Sequence, residues 1–225
     1  SEKNTQTEIL ELGIPLDTVS EPYVSELNKT QTITIGLFGT WIELKSVNSP
    51  IYNQILIGEL YHSLFKLFED LSTRFDFNLI VKNHPSIDYN KHQTRPFFDN
   101  LAKQFHLKNI EITEDLTYSI TNTDLAICLS RTSVLTDLTL AEIPSIVYDS
   151  FQSDFKQIIN PELQAFIKII DNIEDLKQTI IDYFSIEQRI LFRENIQKFK
   201  SDYQTTWSTP KEKSERISKY LIDLA

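Results

Sequence analysis

Between residues 32 and 170, short apolar runs alternate with stretches of helical period, and this alternation restricts the chain to few folds. TITIGLF (32–38), FNLIVK (77–82), KNIEIT (108–113), DLAICLS (124–130), SIVYD (145–149) and AFIKII (165–170) read as strands. From Ile51 to Phe75, apolar residues recur at 56, 60, 64, 67, 68 and 71, the spacing of one helix face. PFFDNLAKQFH (96–106) predicts a second helix, with Pro96 suited to its first turn. TSVLTDLTLAEI (132–143) predicts a third. A run such as DLAICLS, apolar without alternation, belongs in a parallel sheet covered on both faces. The expected fold is therefore α/β: a Rossmann-like open parallel sheet of about six strands, with helices on both faces and right-handed crossovers.

Residues 1–30 are polar and broken by Gly13, Pro15 and Pro22, so they read as a linker or lead-in. Residues 31–172 form the expected Rossmann-like domain. Residues 173–225 read as a C-terminal helical extension built from IEDLKQTIIDYF, SIEQRILFRENIQKFK and TPKEKSERISKYLIDL. The KEKSER cluster is most simply a solvated helix start. The chain of 225 residues can bury a sizeable core in one such domain.

The formal net charge is −10, and no basic stripe interrupts the acidity. Gripping nucleic acid through phosphates needs clustered Lys and Arg, so nucleic acid is excluded as a partner. An acidic surface is equally unsuited to anionic lipid. No apolar run approaches the roughly 20 residues of a transmembrane helix. The single cysteine, Cys128, lies inside LAICL and reads as a buried free thiol. A disulfide framework within the chain is thus impossible, which suits a reducing, cytoplasmic setting. The chain begins at Ser1 without any methionine, as expected of a processed terminus or one piece of a longer protein.

In open α/β sheets, ligands bind outside the carboxyl ends of the strands, where the strand order reverses. The residues just past each strand are therefore the candidates for a site. After the first strand come Phe38, Gly39, Thr40 and Trp41; after the second, Lys82, Asn83, His84 and Pro85. After the fourth come Ser130, Arg131, Thr132 and Ser133; after the fifth, Tyr148 and Asp149. SRTS lies between a buried strand and a helix, so Ser130 or Thr132 can cap that helix. Free N–H groups at a helix start also suit phosphate, with the Thr132 and Ser133 hydroxyls and Arg131 beside them. Plain capping accounts for SRTS as well. Gly39 permits close backbone approach to a ligand, or serves only a turn. Trp41 stacks on a base or covers the sheet edge. Glu142 reaches a ribose hydroxyl or faces solvent. Glu111, Glu114 and Asp115 read as a charged loop, and His62 and His106 as helical surface or packing residues.

Other chemistries lack their motifs. The chain has four glycines and no G-x-G-x-x-G, no P-loop and no G-x-S-x-G elbow. His62, His84, His92 and His106 do not have metal-ligand spacing, and no cofactor is expected.

A strand ending in K-x-H-P, then S-x-x-S after a later buried strand, then AEIPSIVYD, resembles the C-terminal half of certain GT-B glycosyltransferases. The nearest types are the bacterial HP-motif sialyl-, polysialyl- and Kdo-transferases and the CDP-glycerol glycerophosphotransferases. The resemblance covers about residues 32–150. It implies that this domain holds the activated donor, with His84 as phosphate ligand or acid for the leaving group. It implies Thr132 and Ser133 as hydroxyl partners on the same phosphate; from their places at the strand ends, Gly39, Thr40, Lys82, Asn83, Ser130 and Arg131 are the further donor-binding candidates. Preorganised donors stabilise a departing phosphate without a metal. The acidic Asp/Glu-Asp-Gly motif of the sialyl- and polysialyltransferases is missing, so no catalytic base is assigned.

The expected function is the donor-binding half of a metal-independent glycosyltransferase. It would move a sugar or glycerol phosphate from a CMP- or CDP-linked donor to a bacterial surface polysaccharide, such as a capsule. The expected partners are the nucleotide-sugar donor, a glycan acceptor, and an N-terminal acceptor domain or partner chain. Two alternatives stand beside it: a UDP-sugar enzyme of the same fold, epimerases included, and a non-catalytic Rossmann-like binding module.

Overall fold

The computed structural model describes residues 32–39, 50–82, 91–129, 134–150 and 167–203. Within them run strands β1 (Ile33–Phe38), β2 (Phe77–Lys82), β3 (Ile110–Thr113), β4 (Leu125–Leu129), β5 (Ser145–Tyr148) and β6 (Lys168–Ile170). Helices α1 (Pro50–Ser72), α2 (Lys91–Gln104), α3 (Leu116–Thr121), α4 (Val134–Leu140), α5 (Ile173–Tyr183) and α6 (Ile186–Tyr203) complete the described elements. The six strands form one sheet in the order β3-β2-β1-β4-β5-β6, and every neighbouring pair is parallel. The order reverses between β1 and β4, which makes that gap the switch point.

Burial explains the strand composition. All five residues of β4 are buried, and so are five of the six in β1, because both faces of the central strands are covered. β3, at the sheet edge, carries exposed Glu111 and half-buried neighbours. One face bears Ile35, Leu37, Leu125 and Ile127 and packs against Phe65 and Phe68 of α1, Phe98 of α2, and Leu176 and Ile180 of α5. The helices after residue 172 thus enter the same core as the sheet. The other face bears Phe38, Ala126, Cys128 and Val147 and packs against Ile120 of α3 and Leu138 of α4. A glycine lets α3 and its C-terminal turn sit close on this second face: a Cβ at Gly36 would collide with the Thr123 side chain. Cys128 is fully buried there, and burial pushes its thiol pKa up, away from the reactive thiolate.

Three local features differ from the sequence-based expectation. α2 begins at Lys91, so Pro96 lies inside the helix and not in its first turn. Proline in a helix interior forfeits one backbone bond, and burial of Phe98, Leu101 and Ala102 along this helix offsets that cost. Asp115, expected in a charged loop, is the N-cap of α3 and accepts the Tyr118 N–H at 2.9 Å. His106 lies beyond the end of α2, with φ of 53°, and its Nδ1 is 2.9 Å from Glu69 Oε1. The last helical span expected, TPKEKSERISKYLIDL, lies outside the described residues, as does the lead-in 1–30.

Candidate functional site

The carboxyl ends of β1, β2, β4 and β5 lie along one edge of the sheet, because all their pairings are parallel. At this edge the β1–β2 ladder runs one bond further: the buried Gly39 donates its N–H to the Lys82 carbonyl at 2.7 Å. Lys82, in register with Phe38 and Thr113, is only 6% exposed. On the far side of the switch point, Asp149 comes directly after β5 and is 2% exposed, its N–H donating to the Ile170 carbonyl at 2.7 Å. Two buried, oppositely charged side chains therefore flank the switch point. β2 and β5 are three strand spacings apart in the sheet, which separates their ends by about 14 Å.

Of the residues singled out from sequence as donor-binding, Gly39 and Lys82 are described, and both stand at this edge. Thr40, Trp41, Asn83, His84, Ser130, Arg131, Thr132 and Ser133 lie outside the described residues. They come directly after β1, β2 and β4 in the sequence. Among the described residues the helix after SRTS runs Val134–Leu140, ending three residues before the Ile143 expected from sequence. Glu142 belongs elsewhere: it ends the turn after α4 with φ of 59°, and its Oε2 accepts from Gln197 Nε2 of α6 at 3.4 Å. α4 runs back against the strand direction, so its last turn faces the amino edge, far from a ribose bound at the carboxyl edge. Asp149 is the residue that sequence reasoning left without a role. Its place after SIVY was visible, but its burial was not.

The amino edge is held by different chemistry. Thr34 donates its N–H to Asp124 Oδ2 at 2.8 Å, and Asp124 returns its N–H to the Thr34 carbonyl at 2.8 Å. The Tyr183 hydroxyl donates to the Asp124 carbonyl at 2.6 Å, tying α5 to the start of β4. Burial pushes the Asp124 carboxyl up from the ordinary carboxylate range, opposed by the Thr34 N–H and by the charges of Arg189 and Arg193 on α6. Arg189 is 9% exposed, and its Nε has no hydrogen-bond partner among the described residues.

Among the described residues, no group of three His, Cys, Asp or Glu side chains gathers as a metal site. No described helix is long and apolar enough to cross a membrane.

No protein-family model and no curated protein sequence matches the chain. Solved structures do. MurG of Acinetobacter baumannii aligns with 84% of this chain and 49% of its own length, at a TM-score of 0.54 and 16% identity. A glycosyltransferase from Rickettsia africae aligns with 84% of this chain and 48% of its own, at 0.53 and 16%. The glycotransferase of kitacinnamycin aligns with 83% and 43%, at 0.51 and 12%. This chain thus spans less than half the length of each of these structures. Its parallel sheet and covering helices have the fold of one Rossmann-like half of a GT-B glycosyltransferase.

Proposed function

We propose that this chain is the donor-binding half of a glycosyltransferase of the HP-motif type. The donor is a CMP- or CDP-linked sugar or glycerol phosphate, and the acceptor is a glycan of a bacterial surface polysaccharide, all handled in the cytoplasm. The observation that carries this reading is the switch point itself. Gly39 and Lys82 end adjacent strands there, and the segments KNHP and SRTS adjoin β2 and β4 in the sequence. Likeness of fold to three solved glycosyltransferases supports it. Because the chain spans less than half of each, an acceptor-binding domain or partner chain completes the enzyme in this reading.

For a sugar donor, the acceptor hydroxyl oxygen attacks the anomeric carbon and gives up its proton to a base of the acceptor-binding half. The bond from that carbon to the phosphate oxygen breaks, and its electron pair stays on the phosphate. For glycerol phosphate, the attack falls on phosphorus and the nucleotide phosphate leaves. His84 donates a hydrogen bond or proton to the leaving phosphate. In this reading Thr132, Ser133, Ser130 and Arg131 supply the hydroxyl and guanidinium donors where negative charge builds. Asn83 and Thr40 contribute further polar contacts, and no metal is required. The buried cation of Lys82 favours a second reading, a UDP-linked donor whose second phosphate it would meet.

Calorimetric titration with CMP, CDP, UDP and GDP, beside His84→Ala, tests both. Selective binding of one nucleotide, weakened about ten- to hundredfold in the variant by loss of one charged hydrogen bond, is the expected result. Equal binding by both proteins overturns the role of His84. Absence of nucleotide binding to the folded chain, alone or with its companion domain, favours the non-catalytic module.

A further inference from the structure

The amino edge carries an open cleft of about 460 Å³ between α3 and the first residues of β1, β2 and β3. The strands separate it from the candidate donor edge by about 20 Å, the length of a six-residue strand. Its wall is preorganised. The Tyr118 ring is 38% exposed, yet its hydroxyl is held by Glu111 Oε2 at 2.7 Å. The Asn122 side chain is pinned by its Nδ2 donating to the Tyr118 carbonyl at 2.8 Å. Asn78 and Asn109 also line the cleft and are exposed. Among the described residues, no hydrogen bond uses either of their side-chain amides.

The character of this lining selects a ligand class. Each of these two amides offers a donor and an acceptor side by side, as paired hydroxyl groups require. A fixed aromatic ring offers an apolar surface for the carbon-bound hydrogens of a ring sugar. Charge argues the same way. Glu111 and Asp124 face a single cation, Lys108, among the lining residues, so a phosphate would meet net negative charge. The volume falls within the range of sites for small molecules.

We propose that this cleft is a second carbohydrate subsite, taking one or two neutral sugar residues of a glycan at the edge opposite the donor site. The assignment does not rest on the donor reading, and its test uses no donor. The intact, isotope-labelled chain is titrated with maltotriose, cellotriose and N-acetylchitotriose, and separately with inorganic phosphate, while amide NMR signals are followed. At least one neutral trisaccharide should produce saturable shifts in the Asn78 and Asn109 side-chain amides. Asn109→Ala should weaken that binding about fivefold, the loss of one neutral hydrogen bond, with the rest of the spectrum preserved. Tyr118→Ala, at an exposed position, should weaken it further. Shifts confined to the carboxyl edge, no shift with any of the three sugars, or the same shifts produced by phosphate alone would each overturn the proposal.

Discussion

The two edges of the sheet hold their charges in different ways. At the amino edge, Asp124 closes a reciprocal pair of bonds with Thr34, receives Tyr183, and lies in the field of Arg189 and Arg193. Each of these contacts ties one secondary element to another, so folding alone accounts for the carboxylate. At the carboxyl edge, Lys82 and Asp149 are buried on the two sides of the switch point, on strands three places apart. A ligand spanning that gap with both phosphate and hydroxyl groups would meet a cation on one side and an acceptor on the other. The difference teaches where to cut: substitutions at Asp124 should respond in stability and leave nucleotide binding alone, whereas those at the carboxyl edge should change nucleotide binding.

The largest stability effect should come from Asp124→Ala. It removes the acceptor for the Thr34 N–H and takes a countercharge from the buried Arg189, a loss of about 3 kcal/mol in chemical denaturation. Nucleotide affinity should stay unchanged once the protein is folded. A cost near zero would mean that the amino edge is no more a structural lock than its opposite.

Gly36→Ala should come next, costing about 1–3 kcal/mol. The new Cβ would press on Thr123 Oγ1 and Cγ2 and on Phe38 Cε2, all within 2.8 Å. Thr123 is buried and donates to the Ser119 carbonyl, so it has little room to yield. A variant with an unshifted denaturation midpoint would show that α3 is not seated as tightly as the geometry requires.

Lys82→Met should reverse the pattern. Affinity for the preferred nucleotide should fall about tenfold, read by calorimetry. If stability collapses and binding persists, Lys82 belongs to the fold and the two edges are alike.

A subtler contrast lies in pH. Burial raises the folded Asp124 carboxyl above its unfolded value. Between the two values the native state binds more protons, so this group's contribution to stability grows as pH falls into that window. The window opens at the ordinary carboxylate range and extends upward. Asp124→Asn keeps an acceptor for Thr34 but cannot titrate, so its stability curve should be flatter there. Superimposable curves would assign the acid behaviour to other groups. The smallest effect concerns neither edge's charges: His106→Gly should stabilise by about 0.5–1 kcal/mol by relieving a left-handed residue, at the expense of an exposed bond to Glu69.

Much of this architecture is legible in the sequence, and the exceptions have physical causes. DLAICLS and TITIGLF announce central strands because a strand buried on both faces has no polar positions to spare. TEDLTYSIT conceals α3, since six residues rich in threonine carry little helical signal. The Asp115 cap and the fit of Thr123 against Gly36 settle that helix. Pro96 marks no helix start, because the apolar face formed by Phe98 and Leu101 outweighs one missing backbone bond. KNHP and SRTS stand out by residue type, yet their mutual position lies outside the described residues.

The sequence by itself determined the order of the described strands along the chain, the impossibility of a disulfide within it, and which polar residues come after each strand. Those are consequences of local hydrophobic period and composition. Only the tertiary structure decided that β1 lies beside β4, that Asp149 is buried, and that Glu142 turns toward α6. Strand neighbours far apart in sequence are chosen by how whole faces pack, and no single segment carries that information. The same holds for the cleft beside Tyr118, whose lining comes from residues 32 to 124 and has no sequence motif.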